Sequence, residues 1–530
     1  MLLILSSISC ILITFGLGCE LRRDLMMLQQ NSYRYERYMR WIRVSGDTTS
    51  ISRLLAIVIF MLGICGLHLE LFALAATSLF AIVRSYRLLT ARYKKPLVMT
   101  ARAKRIFATD IVLCALVVTA AIWIFRSSPE PATSVATFTL LGLYCLSHVV
   151  TLGANLVLQP VERSINRRFY RAAQQRLQSM PQLRIIGITG SYGKTSTKHY
   201  LHRILSEQFD TLMTPGSFNT TLGVVRTINE YLKPYNEVFI VEMGAKQRGD
   251  VAEICELVHP SIGIVTAVGP QHLESFHTIE NVRDTKFELV DSLPADGLAV
   301  VNDDFEMIAT RDITNTRAVR YAVRNTAGAQ FVAEDIVYSP TGTQFAVRGP
   351  EGFELLVETR LVGRCNISNL LAAIVVALEL GMSAERIRYA VSQIEQVEHR
   401  LSVKRTPAGV TILDDAFNSN PSGSAMALEV LAMMKNGRRI VITPGMIELG
   451  DRQEELNYQF GRSIATSADI AMVVGHYNRE AIVSGIHDGG MDDNAVLTFD
   501  SFAQAQQHLN SIVRKGDTVL YENDLPDTFK

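Results

Sequence analysis

The run Thr189-Gly190-Ser191-Tyr192-Gly193-Lys194-Thr195-Ser196 contains the residue types that hold a polyphosphate. A short β-branched stretch from Arg184 feeds into it, and a helical pattern follows through Leu205. The order is strand, glycine-rich loop, helix. The amides of such a loop and the positive end of the helix wrap an anion. Lys194 is then expected to reach the β- and γ-phosphates and the Thr195 hydroxyl to ligate Mg2+. Ile188 stands where the general phosphate-loop pattern has its first glycine, so this is a narrower variant of that pattern. With a strand before it and a helix after it, the run predicts a nucleoside triphosphate site rather than a chance Gly-Lys-Thr turn.

Three downstream segments add chemistry to binding. Val241-Glu242-Met-Gly-Ala245 puts a carboxylate at the carboxyl end of an expected parallel strand, where α/β ligand sites form. Glu242 can hold Mg2+ there through oxygen. Gly269-Pro-Gln-His272-Leu-Glu274 follows another expected strand end and offers an imidazole. Lys286-Phe-Glu288 falls in the middle of an expected helix, Ile279–Ser292. Each alone is ordinary, because a glutamate at a strand end is usually a solvated cap and a lone histidine is usually structural. Their joint appearance after one phosphate loop points to a single crevice.

The elements that must position these groups alternate. Glu237–Met243, Ser261–Val268 and Leu298–Val301 are short, β-rich and turn-bounded, which predicts buried parallel strands. Helical patterns at Thr221–Tyr231, Val251–Val258 and Ile279–Ser292 separate them. This predicts a doubly wound α/β fold. Residues 314–362 form a β-rich excursion, Asn369–Leu380 an apolar helix, and a second α/β alternation starts near Val403.

The first third is different. The whole chain balances 52 Lys+Arg against 52 Asp+Glu, yet residues 1–181 hold 21 basic residues and only 8 acidic ones. Four apolar blocks lie there, at Met1–Cys19, Arg53–Val83 (turning near Gly66–Glu70), Ile106–Phe125 and Thr133–Leu158. They predict about five membrane crossings, each ~20 residues or fewer. The blocks read as almost free of charge, apart from Glu70 and Asp110 near span ends. Basic residues cluster at Arg22–Arg43, at Arg84–Arg105 (including Arg92 and Lys94) and at Arg163–Arg176. The positive-inside rule places those loops and everything after Pro160 in the cytoplasm, with the start of the chain outside. No basic residue precedes the first apolar run, which favours an uncleaved anchor over a signal peptide. Arg34–Arg43, with tyrosines interleaved, reads either as an interfacial helix on anionic lipid or as a solvated loop. The expected layout is a transmembrane domain over 1–160, a linker helix over 161–182, a central ATP-binding domain over 183–400 and a Rossmann-like domain over 401–530. The seven cysteines include no Cys-x-x-Cys pair, so neither a disulfide framework nor structural zinc is expected.

From Arg184 to the C-terminus these motifs resemble the Mur ligase family, the ATP-dependent amide-bond ligases of peptidoglycan precursor synthesis. The resemblance implies a central phosphate-loop ATPase domain and a C-terminal Rossmann-like domain. It implies two Mg2+ ions placed by Glu242 and His272, with Lys286 carbamylated and its carbamate helping to place the second. Gly363-Arg-Cys-Asn366-Ile-Ser-Asn369 is similar to the adenine-contacting asparagine motif. His399-Arg400 is similar to a pair near the ATP phosphates, and Asp414-Asp415-Ala-Phe-Asn418-Ser-Asn420-Pro421 to the nucleotide-contacting aspartate segment, with Asp415 as the contact. This last motif and Gly445-Met-Ile-Glu448-Leu-Gly450 look most like the branch that adds D-alanyl-D-alanine. The chain departs from that branch at Cys365, at Thr220-Thr221 and in the tail Tyr521–Asp527. A membrane segment also replaces the usual uridine-nucleotide domain.

The expectation is therefore a membrane-anchored ligase at the cytoplasmic face. It would couple a nucleotide- or lipid-linked muropeptide to an amino acid or dipeptide, with ATP, Mg2+ and membrane lipid as partners and no nucleic acid. The alternatives are a poly-γ-glutamate or capsule-type synthetase, a transporter with a cytoplasmic ATPase domain, and an inactive scaffold that keeps the ligase fold.

Overall fold

A computed structural model describes residues 2–64, 70–91, 93, 95–127, 131–339, 342–417 and 419–524. The turn expected within 66–70, Arg92 and Lys94 of the basic loop, Asn418 and the tail from Leu525 lie largely outside them. The chain divides into two compact units, one extending to Asn166 and one spanning Arg167–Asp524. The six described cysteines are all free.

The first unit is helical: α1 (Leu2–Gln30), α2 (Tyr35–Val44), α3 (Ile51–Ile64), α4 (Glu70–Thr90), α5 (Ala101–Ile124), α6 (Ala132–Cys145) and the start of α7 (Ser147–Gln178). Of these, α1, α4 and α5 are long and apolar enough to cross a membrane. α3 is a shorter apolar helix, and α6 and α7 pass the same test only as a pair bent by 79°. Two expectations are corrected. α1 continues well past Cys19, and the block Thr133–Leu158 is not one helix but two, broken at Leu146. The break is held from a distance. Arg53 on α3 donates to the carbonyls of Tyr144 (2.9 Å) and Cys145 (3.1 Å), two of the acceptors that the end of α6 leaves open. Pro160 lies inside α7, which runs on through most of the expected linker helix.

The surface of this unit is inverted relative to a water-soluble bundle. On α1, Ser6, Ser9, Glu20 and Asp24 are buried while Ile4, Ile8, Ile11 and Phe15 are exposed. On α4, Thr77 and Ser85 face inward and Phe72, Leu79 and Ile82 outward. Arg53, Asp110 and His148, in or at the ends of the other blocks, are buried as well. α2 is amphipathic, but its Tyr38, Trp41 and Ile42 pack on Met26, Met27 and Leu28. Its apolar face is covered by protein rather than presented to a lipid surface.

The second unit contains two sheets. The first has strand order β2-β3-β1-β4-β5-β6-β7-β8-β9, built from β1 (Arg184–Thr189), β2 (Thr211–Met213), β3 (Val238–Glu242), β4 (Ile262–Val265), β5 (Leu298–Asn302), β6 (Arg317–Ala322), β7 (Phe331–Ser339), β8 (Gly342–Arg348) and β9 (Glu354–Thr359). β2 to β7 pair in parallel, and β8 and β9 continue the same sheet antiparallel. The expected β-rich excursion is thus an extension of the central sheet. The second sheet has the order β10-β11-β15-β12-β13-β14, with β10 (Ser402–Arg405), β11 (Thr411–Asp415), β12 (Arg439–Thr443), β13 (Ile470–Val474), β14 (Val496–Phe499) and β15 (Thr518–Glu522). It is parallel except at the edge strand β10. The buried run Ile367–Ala377 of the helix Arg364–Glu379 fills the core on one face of the central sheet. Side chains of β3 and of the helix Ile279–Asp291 build the core on the other.

Candidate functional site

β1 is the third of nine strands in the central sheet, between β3 and β4, and the strand order reverses beside it. A crevice opens at such a reversal, outside the carboxyl ends of the strands. The phosphate loop leaves β1 at that point and enters α8 (Lys194–Leu205). Gly193 caps α8 at φ +79°, and a side chain there would strike the Asn369 amide. Gly190, at φ +149°, has the Thr266 hydroxyl where a Cβ would be. Ser191 Oγ and Gly269 bond to each other twice at 3.1 Å, and Thr189 Oγ1 donates to the Met243 carbonyl at 3.0 Å. The buried Tyr192 ring packs against Phe305, and Ser196 is buried on α8. The cradle is therefore tied to the β3 and β4 ends before any ligand arrives. Gly193→Ala is expected to weaken binding of a fluorescent ATP analogue by roughly 10- to 100-fold, the equivalent of ~1–3 kcal/mol of backbone strain. A thermal melt of the same variant separates this loss from unfolding.

Glu242 ends β3 facing the loop. Its Oε1 accepts from Thr195 Oγ1 at 3.1 Å and from Asn219 Nδ2 at 3.0 Å, and its Oε2 lies 3.0 Å from Lys198 Nζ. Burial pushes its carboxyl up, but Lys198 and Lys194 outweigh burial and hold it below the usual range. Glu242 and the Thr195 hydroxyl together make an oxygen-only donor set, which suits Mg2+. Lys198 was not anticipated from the sequence. It is fully buried, four residues after Lys194 on α8, and also donates to the Gly216 carbonyl at 2.6 Å. Lys194 Nζ folds back onto the Gly190 and Ser191 carbonyls. Burial lowers its pKa to about 8, with Glu242 opposing and Arg400 reinforcing.

The other two anticipated groups come from β4 and the helices after it. His272 sits at φ +52° just before α11 (Leu273–Phe276), and its Nδ1 pairs with Glu448 Oε2 from the second sheet. Burial lowers the imidazole pKa, with Glu448 opposing and Lys246 and Lys286 adding to the depression. Lys286 is 2 % exposed on α12 (Ile279–Asp291), with Nζ 5.6 Å from the Phe276 ring centre. Burial pulls it down to about 7, and the charge of Lys194 adds to the shift. Glu288, in the same motif, faces elsewhere and caps α10 (Asp250–Val258), accepting from Gly249 N and Ala252 N at 2.7 and 2.9 Å. Lys194 thus acts electrostatically on both Glu242 and Lys286, and Lys286 on His272. Four groups separated by up to 92 residues of sequence lie within electrostatic reach of one another at the ends of β1, β3 and β4.

The nucleotide-side residues divide. Asn366 and Asn369 lie at the start of the helix Arg364–Glu379, which begins five residues earlier than expected. Asn366 Oδ1 accepts from Tyr200 OH at 2.9 Å, and its Nδ2 donates to the Val362 carbonyl at 2.9 Å. Arg400 lies 4.1 Å over the Phe417 ring. It is half-buried, and loss of water lowers its pKa while Asp415 and Glu242 oppose the shift. Asp415 accepts from Leu401 N at 3.0 Å. Burial raises its carboxyl to about 6, with Arg400 opposing. His399 is not brought to the phosphate loop. It is half-exposed and pairs with Asp414 at 2.9 Å.

Comparison with known proteins identifies the family of the second unit. The family model described as "Mur ligase middle domain" matches residues 188–377, and that described as "Mur ligase, glutamate ligase domain" matches residues 399–521. The UDP-N-acetylmuramoyl-tripeptide--D-alanyl-D-alanine ligase of Escherichia coli (strain K12) is 31 % identical over 336 residues, covering 63 % of this chain and 74 % of that protein. Its namesake from Mycobacterium tuberculosis (strain CDC 1551 / Oshkosh) is 34 % identical over 364 residues, covering 64 % and 70 %. Among solved structures, a crystal structure of MurF from Acinetobacter baumannii superposes with TM-score 0.62 at 25 % identity, over 68 % of this chain and 77 % of that one. The MurF ligase from Thermotoga maritima in complex with ADP shares the fold, with TM-score 0.61 at 24 % identity, over 68 % and 80 %. The chain belongs to the Mur ligase family. It is an ATP-dependent ligase with the family's central and C-terminal α/β domains, and its relatives here carry the name of the MurF branch. Both family models begin after residue 187, so the helical unit lies outside them.

Proposed function

We propose that this ligase joins the carboxyl end of a muramoyl-tripeptide to D-alanyl-D-alanine, at the cytoplasmic face of a membrane spanned by its first helices with the N-terminus outside. The proposed division is a transmembrane part over 1–160, a linker over 161–182, and ligase domains over 183–400 and 401–530. The carrying observation is the convergence of Lys194, Thr195 and Glu242 on one cradle with Lys286 and His272 beside it. The substrates follow the names of the relatives and the motifs at Asp414–Pro421 and Gly445–Gly450. The membrane reading rests on the inverted helices, which bury hydroxyls and charges while presenting isoleucine, leucine and phenylalanine outward.

The residues suit ATP and Mg2+, because Glu242 and Thr195 supply hard oxygen donors next to a loop shaped for phosphate. When bound, ATP supplies the phosphoryl group that turns the substrate carboxylate into an acyl phosphate, and Mg2+ offsets the charge that gathers there. Lys194 and Arg400 add fixed positive charge on the loop side, where most catalysis of such transfers arises. Lys198 keeps Glu242 ionised in its buried position. Asn366, Asn369 and Asp415 are assigned to the nucleotide, and His399 to its outer edge. Lys286 is proposed to carry a carbamate, since carbamylation needs a neutral amine and burial brings this one to about 7. His272 completes the metal side.

The transporter alternative drew on charges along a membrane path. The buried charges on and around α1, α3 and α4 are instead bonded to one another, while neither oxygen of Asp110 on α5 has a hydrogen-bond partner. Arg53 reaches Asp47 at 3.1 Å and His148 at 2.9 Å, while Arg84 reaches Glu20 at 3.1 Å. A guanidinium already occupies the space between Asp47 and His148, which fits a fixed support. ADP release by the full-length protein tests the substrate reading. UDP-muramoyl-tripeptide with D-alanyl-D-alanine is expected to drive turnover, and single D- or L-amino acids are not. Release driven only by glutamate would favour the poly-γ-glutamate alternative, and release only with a lipid-linked tripeptide would move the donor into the membrane.

A further inference from the structure

We infer that Glu448, on the loop that follows β12 of the second sheet, is a positioning residue for the metal side of the crevice: it grips His272 by Nδ1 and so links the seating of that sheet to metal binding. The inference rests on the reading of His272 as a metal ligand. With Nδ1 held by a carboxylate, Nε2 is the nitrogen left for another partner. A carboxylate behind a ligating histidine fixes its tautomer and orientation and raises its basicity.

Both partners occupy costly backbone conformations. His272 is at φ +52° and Glu448 at φ +61°, the left-handed region where residues other than glycine are strained. Such strain persists only where the surroundings over-determine it. Around Glu448 they do. After β12, Gly445 N donates to Thr443 Oγ1 at 2.9 Å and Met446 N to Asn457 Oδ1 at 2.9 Å. The Met446 carbonyl accepts from Asn457 Nδ2 at 3.1 Å, from Asn478 Nδ2 at 3.0 Å and from Gln453. Asn457 is fully buried, and Gln453 Oε1 also accepts from Leu449 N at 3.2 Å. Just beyond, the α-carbon side of Gly450 comes so near α11 that a Cβ would lie 3.3 Å from Glu274 N. Three side-chain amides thus brace the loop through one carbonyl. The loop delivers a single carboxylate onto a residue 176 positions away in sequence. Because the pair joins two sheets, whatever strengthens metal binding through His272 must also favour the seated second sheet, by reciprocity of linkage.

The test uses the full-length protein with a non-hydrolysable ATP analogue and Mn2+ followed by electron paramagnetic resonance. Glu448→Ala is expected to weaken one Mn2+ site by roughly 10-fold or more and to lower kcat while leaving KM for ATP within about twofold. Glu448→Gln retains an acceptor for Nδ1 and is expected to recover most of the Mn2+ affinity, which loss of folding would not explain. His272→Ala sets the scale. If it weakens Mn2+ binding while both Glu448 variants match wild type, the inference is overturned and the metal reading of His272 stands. If His272→Ala has no effect on Mn2+ either, the reading and the inference fall together.

Discussion

Lys194→Ala is expected to lower kcat for ADP formation by about 10³-fold or more, roughly 4 kcal/mol of transition-state stabilisation. The argument is local. Lys194 is half-buried at the phosphate loop, and its Nζ, resting on the Gly190 and Ser191 carbonyls, can swing toward a phosphate without moving the backbone. Charge developing on a transferred phosphoryl group meets this cation in a site where little water screens it. The fold should survive. Burial already depresses Lys194 to about 8, so removing the cation relieves a desolvation cost, and Lys198 still neutralises Glu242. Single-turnover measurement of ADP release, alongside a thermal melt, checks both halves. A folded Lys194→Ala variant keeping more than about a tenth of wild-type turnover would remove this lysine from the chemistry.

Lys286→Ala should be nearly as damaging, with a fall of about 10²- to 10³-fold, and it carries a second signature. If a carbamate on Lys286 helps to place metal, a small carboxylate such as acetate or formate should restore part of the lost rate. Wild-type activity should rise with pH through about 7, where the amine loses its proton, and should respond to added bicarbonate in the same range. Stability should move in the same direction. Between pH 7 and the free-lysine value of 10.5 the unfolded chain binds more protons at this position than the folded one, so this group's contribution to stability grows as pH rises. No bicarbonate response, together with no rescue by either carboxylate, would leave Lys286 as an uncharged packing residue.

The phosphate loop and Glu242 were legible because their chemistry dictates residue types at close spacing around one strand end. Lys198 was not. Four places after Lys194 on a helix, a lysine reads as part of a solvated face until β3 brings Glu242 beneath it. The Glu448–His272 pair was hidden for a different reason, since no local pattern links residues on two sheets. His399 and Arg400 are adjacent and share a motif, yet neighbouring side chains turned apart, one onto Asp414 and the other over Phe417. In the helical unit, hydropathy located the apolar blocks but not the bend at Leu146. No glycine or proline marks it, and Arg53, 91 residues before Tyr144, supports it. Pro160, which would ordinarily suggest a break, lies within a continuous helix. The strands after Arg317 seemed separate from the central sheet because antiparallel pairing needs no intervening helix. β7 nevertheless continues the parallel register of β6 at Tyr321 and Phe331 before the chain doubles back.

With the helical unit placed in a bilayer as proposed, the short reach of α6 has a consequence for the surrounding lipid. Fourteen residues rise only about 21 Å, whereas a hydrocarbon core is ~30 Å thick. In a bilayer this hydrophobic mismatch is met by local thinning or by water drawn down to the helix end. The guanidinium knot at the Tyr144 and Cys145 carbonyls would then sit among headgroups rather than acyl chains, and thicker, sterol-like membranes should disfavour this protein.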